Sequence, residues 1–449
     1  MTTLNVESST DFTSQTLSGI DEIVFGTIND FVQAIFSAGQ FDGIQIAADA
    51  HFDSGPSNNY VLVQVGGGRR IDASQWTFSQ WTDSVYSGIG DHVLLEGSIR
   101  DDVIVGSRRN DEINGQEGSD VIRAGQGDDL ISVGILGGND IIYGGNGIDL
   151  LNINRVLVST GLTIDISKGG LSADIGDGTR IDGVERLVIT SGTGNDVLIG
   201  GALTDRVEAN AGDDFLDGRG GENHMFGMTG NDIVVGSGSD GEFSGGDDED
   251  TLVLKRSNAT EAYVLDLTLE GPTTLADGNS VFSDFEHLIF RGGSGGDIIT
   301  GAALENTLAG GVGADALTGG NAADTLRGNS GNDRLSGGLD GDTLIGGAGI
   351  DTFVYTAVDQ SNGVALDTIA DFDSGDIIDL SAIDAVAGDA DDGFTFIGSE
   401  AFNNVPGELR MTVKVRVTLI EADTTGDGTA DLTIILGNGF APGFDNFIL

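Results

Sequence analysis

Between residues 292 and 354 the chain alternates apolar and polar positions with a nine-residue period, over seven consecutive units of the form G-G-x-G-x-D-x-U-x. The eighth position, U, is a large apolar residue in every unit. Because side chains alternate across a strand, each x-U-x segment predicts a three-residue strand whose middle side chain points inward. The glycines predict the turns, since glycine tolerates positive φ and close backbone approach. The eighth positions are Ile299, Leu308, Leu317, Leu326, Leu335, Leu344 and Phe353.

The acidic sixth position predicts two rows of carboxylates. Two units make one coil of about eighteen residues, so alternate turns stack on the same edge at the strand spacing of ~4.8 Å. Neighbouring carboxylates at ~5 Å and an effective dielectric of ~20 repel by roughly 3 kcal/mol per pair. A hard cation with six or more oxygen ligands relieves this repulsion, and Ca²⁺ fits better than Mg²⁺ or Zn²⁺. The sixth positions here are Asp297, Asn306, Asp315, Asp324, Asp333, Asp342 and Asp351.

Two earlier blocks repeat the pattern less regularly. The first, residues 91–152, contains one eleven-residue step, and the second, residues 191–253, has lost the carboxylate at Asn223 and Gly241. We counted the pairs of alternate turns in which both sixth positions are Asp: there are four such pairs in the first block, three in the second and four in the third. We therefore expect eleven or more Ca²⁺ sites. The acids of the two earlier blocks are Asp102, Asp111, Asp120, Asp129, Asp140, Asp149, Asp196, Asp205, Asp214, Asp232 and Asp250.

Two spacers, residues 153–190 and 254–291, separate the blocks and are similar to each other position by position. Asp149 and Asp196 lie 47 residues apart, as do Asp250 and Asp297, so a spacer with its block repeats after 101 residues. We interpret the spacers as solenoid coils with longer turns and no calcium, with strand-like runs at 155–159 and 162–166 in the first.

The two ends of the chain lack the nonapeptide. Residues 1–90 carry short strand-like runs and one helical candidate at 30–38, which predicts β-rich opening coils or a cap over the solenoid. A separate binding domain is the alternative. Residues 355–449 form the last expected domain. Within it Asp423, Asp427 and Asp431 lie four residues apart, which fits either a calcium loop or a plain Asp-Gly turn.

The repeats resemble those of the RTX (repeats-in-toxin) secreted calcium-binding proteins. Residues 355–449, with runs such as D-F-D-S-G-D-I-I-D-L at 371–380, resemble the carboxy-terminal β-roll domain of serralysin-type metalloproteases. This resemblance implies an all-β, parallel β-roll or β-solenoid built from calcium-binding nonapeptide repeats. It also implies a type I secretion exporter as partner, and the apolar ending at 445–449 resembles the uncleaved signal of that route.

The charge balance excludes some classes of binding partner. With 72 acidic and 20 basic residues the net charge is −52, which argues against nucleic acids and anionic membranes. The absence of cysteine excludes disulfides and thiolate metal sites. No apolar run reaches eighteen residues, which predicts no transmembrane segment. The amino terminus lacks the basic and apolar regions of a Sec signal peptide.

The sequence matches known catalytic motifs only weakly. The G-x-S-x-G pattern around Ser294 lacks the strand and helix of a nucleophile elbow. Trp76, Trp81 and Tyr86 fit a sugar-stacking platform, but aromatic side chains are more often buried. None of the four histidines belongs to the H-E-x-x-H zinc site of serralysins. They are His51, His92, His224 and His287.

We therefore expect a secreted, non-enzymatic calcium-binding protein that folds on binding extracellular Ca²⁺ and has a structural, cell-surface or matrix role. One alternative is an extracellular enzyme or glycan-binding protein whose active part is residues 1–90, with cell-surface polysaccharide as partner. Self-association through the solenoid ends is another.

Overall fold

The computed structural model describes residues 2–25, 32–41, 46–53, 59–65, 70–79, 81, 91–135, 138–168, 172, 174–236, 241–268, 272–274, 280–386 and 392–449. The chain divides into two compact units, Met1–Gly230 and Asn231–Leu449. Apart from three short 3₁₀ helices, every regular element of the described residues is a strand. The all-β class is thereby confirmed.

The first unit opens with strands that carry no nonapeptide, followed by those of the first block, the first spacer and most of the second block. The opening strands are β1 (Thr3–Val6), β2 (Thr10–Asp11), β3 (Ile20–Phe25), β4 (Val32–Ser37), β5 (Ile46–Asp53), β6 (Asn59–Gln64), β7 (Arg70–Asp72), β8 (Thr77–Ser79) and β9 (His92–Glu96), with a 3₁₀ helix at Ala38–Phe41. The later strands are β10 (Val103–Val105), β11 (Asp111–Asn114), β12 (Val121–Gln126), β13 (Leu130–Val133), β14 (Ile141–Asn146), β15 (Leu150–Asn154), β16 (Thr163–Asp165), β17 (Arg180–Asp182), β18 (Arg186–Thr190), β19 (Val197–Ile199), β20 (Arg206–Glu208), β21 (Phe215–Asp217) and β22 (Asn223–Thr229).

Alternate strands of the first unit pair in parallel, as an eighteen-residue coil requires. One sheet runs in the order β17-β14-β12-β10-β7, and another runs β2-β4-β6-β9-β11-β13-β15-β18-β20-β22. Val103 pairs with Val121, and Glu112 pairs with Leu130, each eighteen residues further on. Strands β7 and β9 pair with the first repeat strands β10 and β11, so the described part of the amino-terminal region shares sheets with the repeats.

The second unit contains the end of the second block, the second spacer, the third block and the carboxy-terminal region. Its strands up to the third block are β23 (Ile233–Gly236), β24 (Gly241–Asp247), β25 (Thr251–Lys255), β26 (Val264–Asp266), β27 (Thr273–Thr274), β28 (Ser280–Ser283), β29 (His287–Arg291), β30 (Ile298–Thr300), β31 (Thr307–Val312), β32 (Ala316–Gly320), β33 (Thr325–Ser330), β34 (Arg334–Gly338), β35 (Thr343–Ala348) and β36 (Thr352–Val354). The carboxy-terminal strands are β37 (Thr368–Ile369), β38 (Ile377–Asp379), β39 (Thr395–Phe396), β40 (Glu408–Val413), β41 (Thr418–Asp423), β42 (Leu432–Leu436) and β43 (Phe447–Ile448), with 3₁₀ helices at Val358–Gln360 and Phe444–Asn446.

The third block is the most regular part of the second unit. Strands β31, β33 and β35 pair in one sheet, and β30, β32, β34 and β36 pair in the other, all in parallel. Strands β40, β41 and β42 then form antiparallel pairs, and β42 joins β37 in parallel. The last strand, β43, pairs with β38.

The core of each unit is a stack of inward apolar side chains. The eighth-position residues of the third block are at most 1% exposed, which confirms the inward orientation expected of U. Burying such a side chain stabilises a fold by roughly 1.5–3 kcal/mol, so each coil adds a small and similar increment.

Two local predictions are wrong. Residues 32–37 of the helical candidate form strand β4, which pairs with β6 along its whole length, because pairing within the sheet overrides the helical spacing of a short segment. The strand-like run at 155–159 is a turn that follows β15. Tyr86 and residues 30–31 lie outside the described residues.

Candidate calcium site

The sixth-position acids end their turns immediately before a strand and point into the coil. Every predicted one, from Asp102 to Asp351, is at most 2% exposed. Aspartate is almost never fully buried unless it is paired, so seventeen such residues in one chain need a counterion or a proton.

One carboxylate oxygen of most of these acids links successive coils. The backbone N–H of Asp315 donates to Oδ1 of Asp333 at 2.9 Å, and that of Asp333 donates to Oδ1 of Asp351 at 2.9 Å. On the other edge the N–H of Asp324 donates to Oδ1 of Asp342 at 2.8 Å. We call such a row of linked acids a carboxylate ladder.

The same bond joins ten of the eleven expected pairs. The eleventh, Asp214 and Asp232, is divided between the two units and stays a prediction. The ten pairs are Asp102/Asp120, Asp111/Asp129, Asp120/Asp140, Asp129/Asp149, Asp196/Asp214, Asp232/Asp250, Asp297/Asp315, Asp315/Asp333, Asp324/Asp342 and Asp333/Asp351.

The second oxygen of the ladder acids is buried without a donor. This holds in the described structure for Oδ2 of Asp120, Asp149, Asp250, Asp315, Asp324, Asp333, Asp342 and Asp351. A buried acceptor without a partner costs about 1–3 kcal/mol, and more when it is charged. A row of such oxygens fits a bound cation.

The first glycine of each turn in the third block leaves space beside the side chain at the sixth position. A β-carbon on Gly328 would lie 2.2 Å from Oδ2 of Asp333 and 2.6 Å from the carbonyl oxygen of Gly346, one coil further on. A β-carbon on Gly319 would likewise lie 2.2 Å from Oδ2 of Asp324. Carboxylate and carbonyl oxygens therefore converge on a cradle that a side chain would fill, and these are the oxygen ligands that Ca²⁺ takes.

Burial makes the ladder acids weak acids. Desolvation raises the pKa of Asp324 and Asp333 to about 6 and that of Asp342 to about 8, and neighbouring carboxylates add to the increase. In the first unit desolvation raises the pKa of Asp120 and Asp149 to about 7. The ionised form is thus disfavoured at neutral pH unless a cation compensates it.

The acids in the first two turns of block one already accept hydrogen bonds from serines of the same turns. Oδ2 of Asp102 accepts the N–H and the hydroxyl of Ser98 at 2.8 and 2.9 Å. Asp111 accepts the hydroxyl of Ser107 at 3.0 Å. These acids need a cation less than those of the third block.

Where a ladder acid is replaced by asparagine, the amide occupies the same environment. Oδ1 of Asn306 accepts the N–H of Leu288 at 2.9 Å, as a ladder carboxylate does. Its Nδ2 donates to the carbonyl of Leu304 at 2.6 Å and to Oδ1 of Asp324 at 3.0 Å. A neutral donor thus faces a carbonyl and a carboxylate oxygen of the block.

Four further acids continue the ladders where the nine-residue spacing ends. The N–H of Asp149 donates to Glu185, and that of Asp250 donates to Glu286, both at 2.9 Å. Asp342 and Asp351 are followed by Asp367 and Asp376, each 25 residues later. The sequence signal for Glu185 and Glu286 was their 101-residue separation, whereas the longer step to Asp367 and Asp376 hides those acids from a nine-residue pattern.

The three acids of the carboxy-terminal region are engaged in turns. Asp423 accepts the N–H groups of Gly426 and Gly428 at 2.6 and 2.8 Å, and Asp431 accepts that of Thr424 at 2.8 Å. Asp427 accepts the N–H of Thr429 at 2.8 Å. These bonds favour the Asp-Gly turn, and a calcium loop here stays a prediction.

The described residues give little support to a metal site made of side chains alone, to sugar binding or to a nucleophile elbow. They contain no cluster of three or more His, Cys, Asp or Glu side chains that could hold a metal, so any ladder site combines two acids with backbone oxygens. Trp76 and Trp81 are 1% and 7% exposed and offer no platform to a sugar. The turn at Ser294 is followed by strand β30 instead of a helix. No described helix is long and apolar enough to cross a membrane.

Comparison with known families agrees with this geometry. The family described as RTX calcium-binding nonapeptide repeat (4 copies) matches residues 96–131, 136–151, 190–225, 199–234 and 217–252. Peptidase M10 serralysin C terminal matches residues 275–443. The chain contains RTX calcium-binding nonapeptide repeats and a serralysin-type carboxy-terminal domain. RTX repeats bind calcium, and proteins of these families are typically secreted; neither of the two matches is to a protease domain.

Similarity to individual proteins is distant. A solved structure of extracellular lipase LipA from Serratia marcescens matches at 14% identity with a TM-score of 0.20, over 88% of this chain and 45% of that chain. The chain thus spans less than half of the lipase's length, and the similarity carries no functional argument. No curated protein sequence matches the chain.

Proposed function

We propose that this RTX protein leaves the cell unfolded and folds around Ca²⁺ outside it, and that the folded coils have a structural role at the cell surface or in the matrix. The observation that carries the proposal is the set of buried carboxylates whose second oxygen has no donor. Ionised carboxylates in that environment repel each other and lose hydration, so the calcium-free fold is unfavourable at neutral pH.

The ligands in this proposal are the predicted sixth-position acids, together with carbonyl oxygens of the turns. Bound Ca²⁺ would supply positive charge to the unpartnered Oδ2 oxygens. The chain's own part is to orient them. The ladder bonds fix Oδ1 of each acid, and the first glycine keeps the cradle free of a side chain. Asp367 and Asp376 extend the ligand set beyond the sequence prediction.

Secretion and folding are coupled by mass action. The chain contains 74 glycines, and glycine loses more conformational freedom on folding than any other residue. At low cytosolic Ca²⁺ this entropy and the ladder repulsion keep the repeats unfolded, which suits passage through a type I exporter. Millimolar Ca²⁺ outside shifts the equilibrium towards the folded coils.

The amino-terminal region is assigned to the same architecture. Its described strands β6 and β7 share parallel sheets with the repeats, so we infer that residues 1–90 form the opening coils. The burial of Trp76 and Trp81 supports this role over a glycan-binding one. The proposed function needs no catalytic step.

Circular dichroism of the full chain tests the proposal. Protein freed of calcium at pH 7.5 should show a mostly disordered spectrum, and Ca²⁺ should restore the β spectrum cooperatively. Mg²⁺ at the same concentration should not, since it prefers smaller octahedral sites that retain water. A β-rich spectrum that chelator leaves unchanged would contradict calcium-coupled folding. Specific polysaccharide binding or hydrolysis that is lost when residues 1–90 are deleted would contradict the structural role.

A further inference from the structure

Arg155 is a buried cation inside a strongly acidic protein. Its side chain is fully buried, although the chain has only 20 basic residues. It follows strand β15, at the point where the first block passes into its spacer. Burying a guanidinium costs several kcal/mol unless other groups compensate the charge, so its surroundings reveal what it does.

Five oxygens surround the guanidinium group. Nε lies 2.5 Å from Oδ2 of Asp177, and Nη2 lies 3.4 Å from both Oδ2 of Asp140 and Oγ1 of Thr179. Nη1 donates to the carbonyl oxygens of Gly134 and Asn154. Two carboxylates, two carbonyls and a hydroxyl are the kinds of oxygen that surround Ca²⁺ in proteins.

Asp140 belongs to the ladder that Arg155 interrupts. Its Oδ1 accepts the N–H of Asp120 at 2.9 Å, as in the other nine joined pairs. The next position on this edge is held by Thr179, because Ile141 pairs with Arg180. Oδ2 of Asp140 therefore meets Arg155, whereas Oδ2 of Asp120, one coil earlier, has no donor.

The second copy of the duplicated unit shows what the same arginine contacts when the ladder acid is absent. Arg256 lies 101 residues after Arg155 and has the same turn geometry, with its N–H donating to Arg291 at 2.8 Å. In that copy the equivalent of Asp140 is Gly241. The guanidinium of Arg256 instead lies over the ring of Tyr263, 4.2 Å from its centre.

We propose that Arg155 is a built-in cation that takes the place of Ca²⁺ at the Asp140 step, so that the coil around it forms at lower calcium than the rest of the ladders. This inference rests on the proposed function, because a substitute matters only where other steps require the ion. Arg155 thus gives the first unit one ladder step that forms without Ca²⁺, and neighbouring coils can fold onto it.

Hydrogen exchange of the full chain, measured by mass spectrometry across a calcium titration, tests the inference. In the wild type, peptides covering 138–182 should reach half-protection at a calcium concentration about tenfold below that for 292–354, equivalent to roughly 1.4 kcal/mol. Arg155→Ala should raise the midpoint of 138–182 to that of 292–354 or above, because two buried acids lose their cation. Arg206→Ala, which removes an equal charge from a surface ion pair with Glu208, should leave the midpoint unchanged.

The possible outcomes distinguish the role of Arg155 from calcium-coupled folding of the repeats. Equal midpoints for the two regions in the wild type, or an unchanged midpoint in Arg155→Ala, would overturn the role of Arg155. If Arg155→Ala does not fold at any calcium concentration, Arg155→Lys decides. Lysine keeps the positive charge, so the calcium midpoint of 138–182 should stay within about threefold of the wild type. A midpoint as high as that of 292–354 would refute the idea that the charge of residue 155 takes the place of Ca²⁺. Protection of 292–354 in chelator would instead refute calcium-coupled folding itself.

Discussion

Without calcium, acid should stabilise this protein, which is the reverse of ordinary acid denaturation. Desolvation raises the pKa of Asp342 to about 8 and that of Asp250 and Asp367 to about 7 in the folded second unit. An unfolded aspartate titrates near 3.9. The folded state therefore binds protons more tightly, and the stability this provides is fully present below pH ~4 and is lost as pH rises through the folded values.

The size of this effect is comparable to the stability of a whole domain. Between pH 5 and pH 8 the free energy of unfolding of the calcium-free protein should fall by about 4 kcal/mol through Asp342 and by roughly 3 kcal/mol through each of Asp250 and Asp367. Domains are stable by about 5–15 kcal/mol in total. The calcium-free second unit should therefore fold in part at pH 5 and be largely unfolded at pH 8.

Urea unfolding followed by circular dichroism measures this directly. Protein stripped of calcium is compared at pH 5, 6.5 and 8, beside calcium-loaded protein, whose stability should change in the opposite direction because protons compete with Ca²⁺ for the carboxylates. Asp342→Asn should remove about 4 kcal/mol of the pH dependence, while Asp359→Asn, a control at an exposed acid, should not. Calcium-free stability that is constant or increases from pH 5 to pH 8 would refute the reasoning.

Three substitutions test the individual parts of the ladders, each by calcium titration of the dichroism signal. Asp342→Ala should raise the calcium needed for folding more than Asp102→Ala, because Asp102 already accepts hydrogen bonds from a serine; equal effects would remove this distinction. Asn306→Asp should bind one additional ion and stabilise the calcium-loaded form, and unchanged stoichiometry would show that the amide does not stand at an ion position. Gly328→Ala should weaken calcium binding at least tenfold, roughly 1.4 kcal/mol, by filling the cradle. Gly443→Ala, where a β-carbon meets nothing within 4 Å, should be neutral, and equal behaviour of the two variants would contradict the cradle.

The repeats were predictable because their structure is almost one-dimensional. A nine-residue period fixes which side chain points inward and which acids share an edge, so Leu326 in the core and the Asp324/Asp342 pair follow from counting. No long-range information is needed, since each coil contacts only its neighbours.

The features that were missed lie where the period fails. Asp367 joins its ladder after a step of 25 residues, and Arg155 reaches Asp177 across a long spacer turn. Counting cannot locate such contacts, because the length of an irregular turn does not fix where its ends meet. The strand at 32–37 was missed for a related reason, since its pairing with β6 outweighs local periodicity.

Anomalous diffraction from crystals grown in calcium tests the central claim most directly. We predict calcium peaks along both edges of the third block, each beside the second carboxylate oxygen of a ladder acid such as Asp333 or Asp342. The Asp140 step should show the guanidinium of Arg155 and no peak. Ladder carboxylates without adjacent calcium peaks, in crystals whose mother liquor contains millimolar Ca²⁺, would contradict the account.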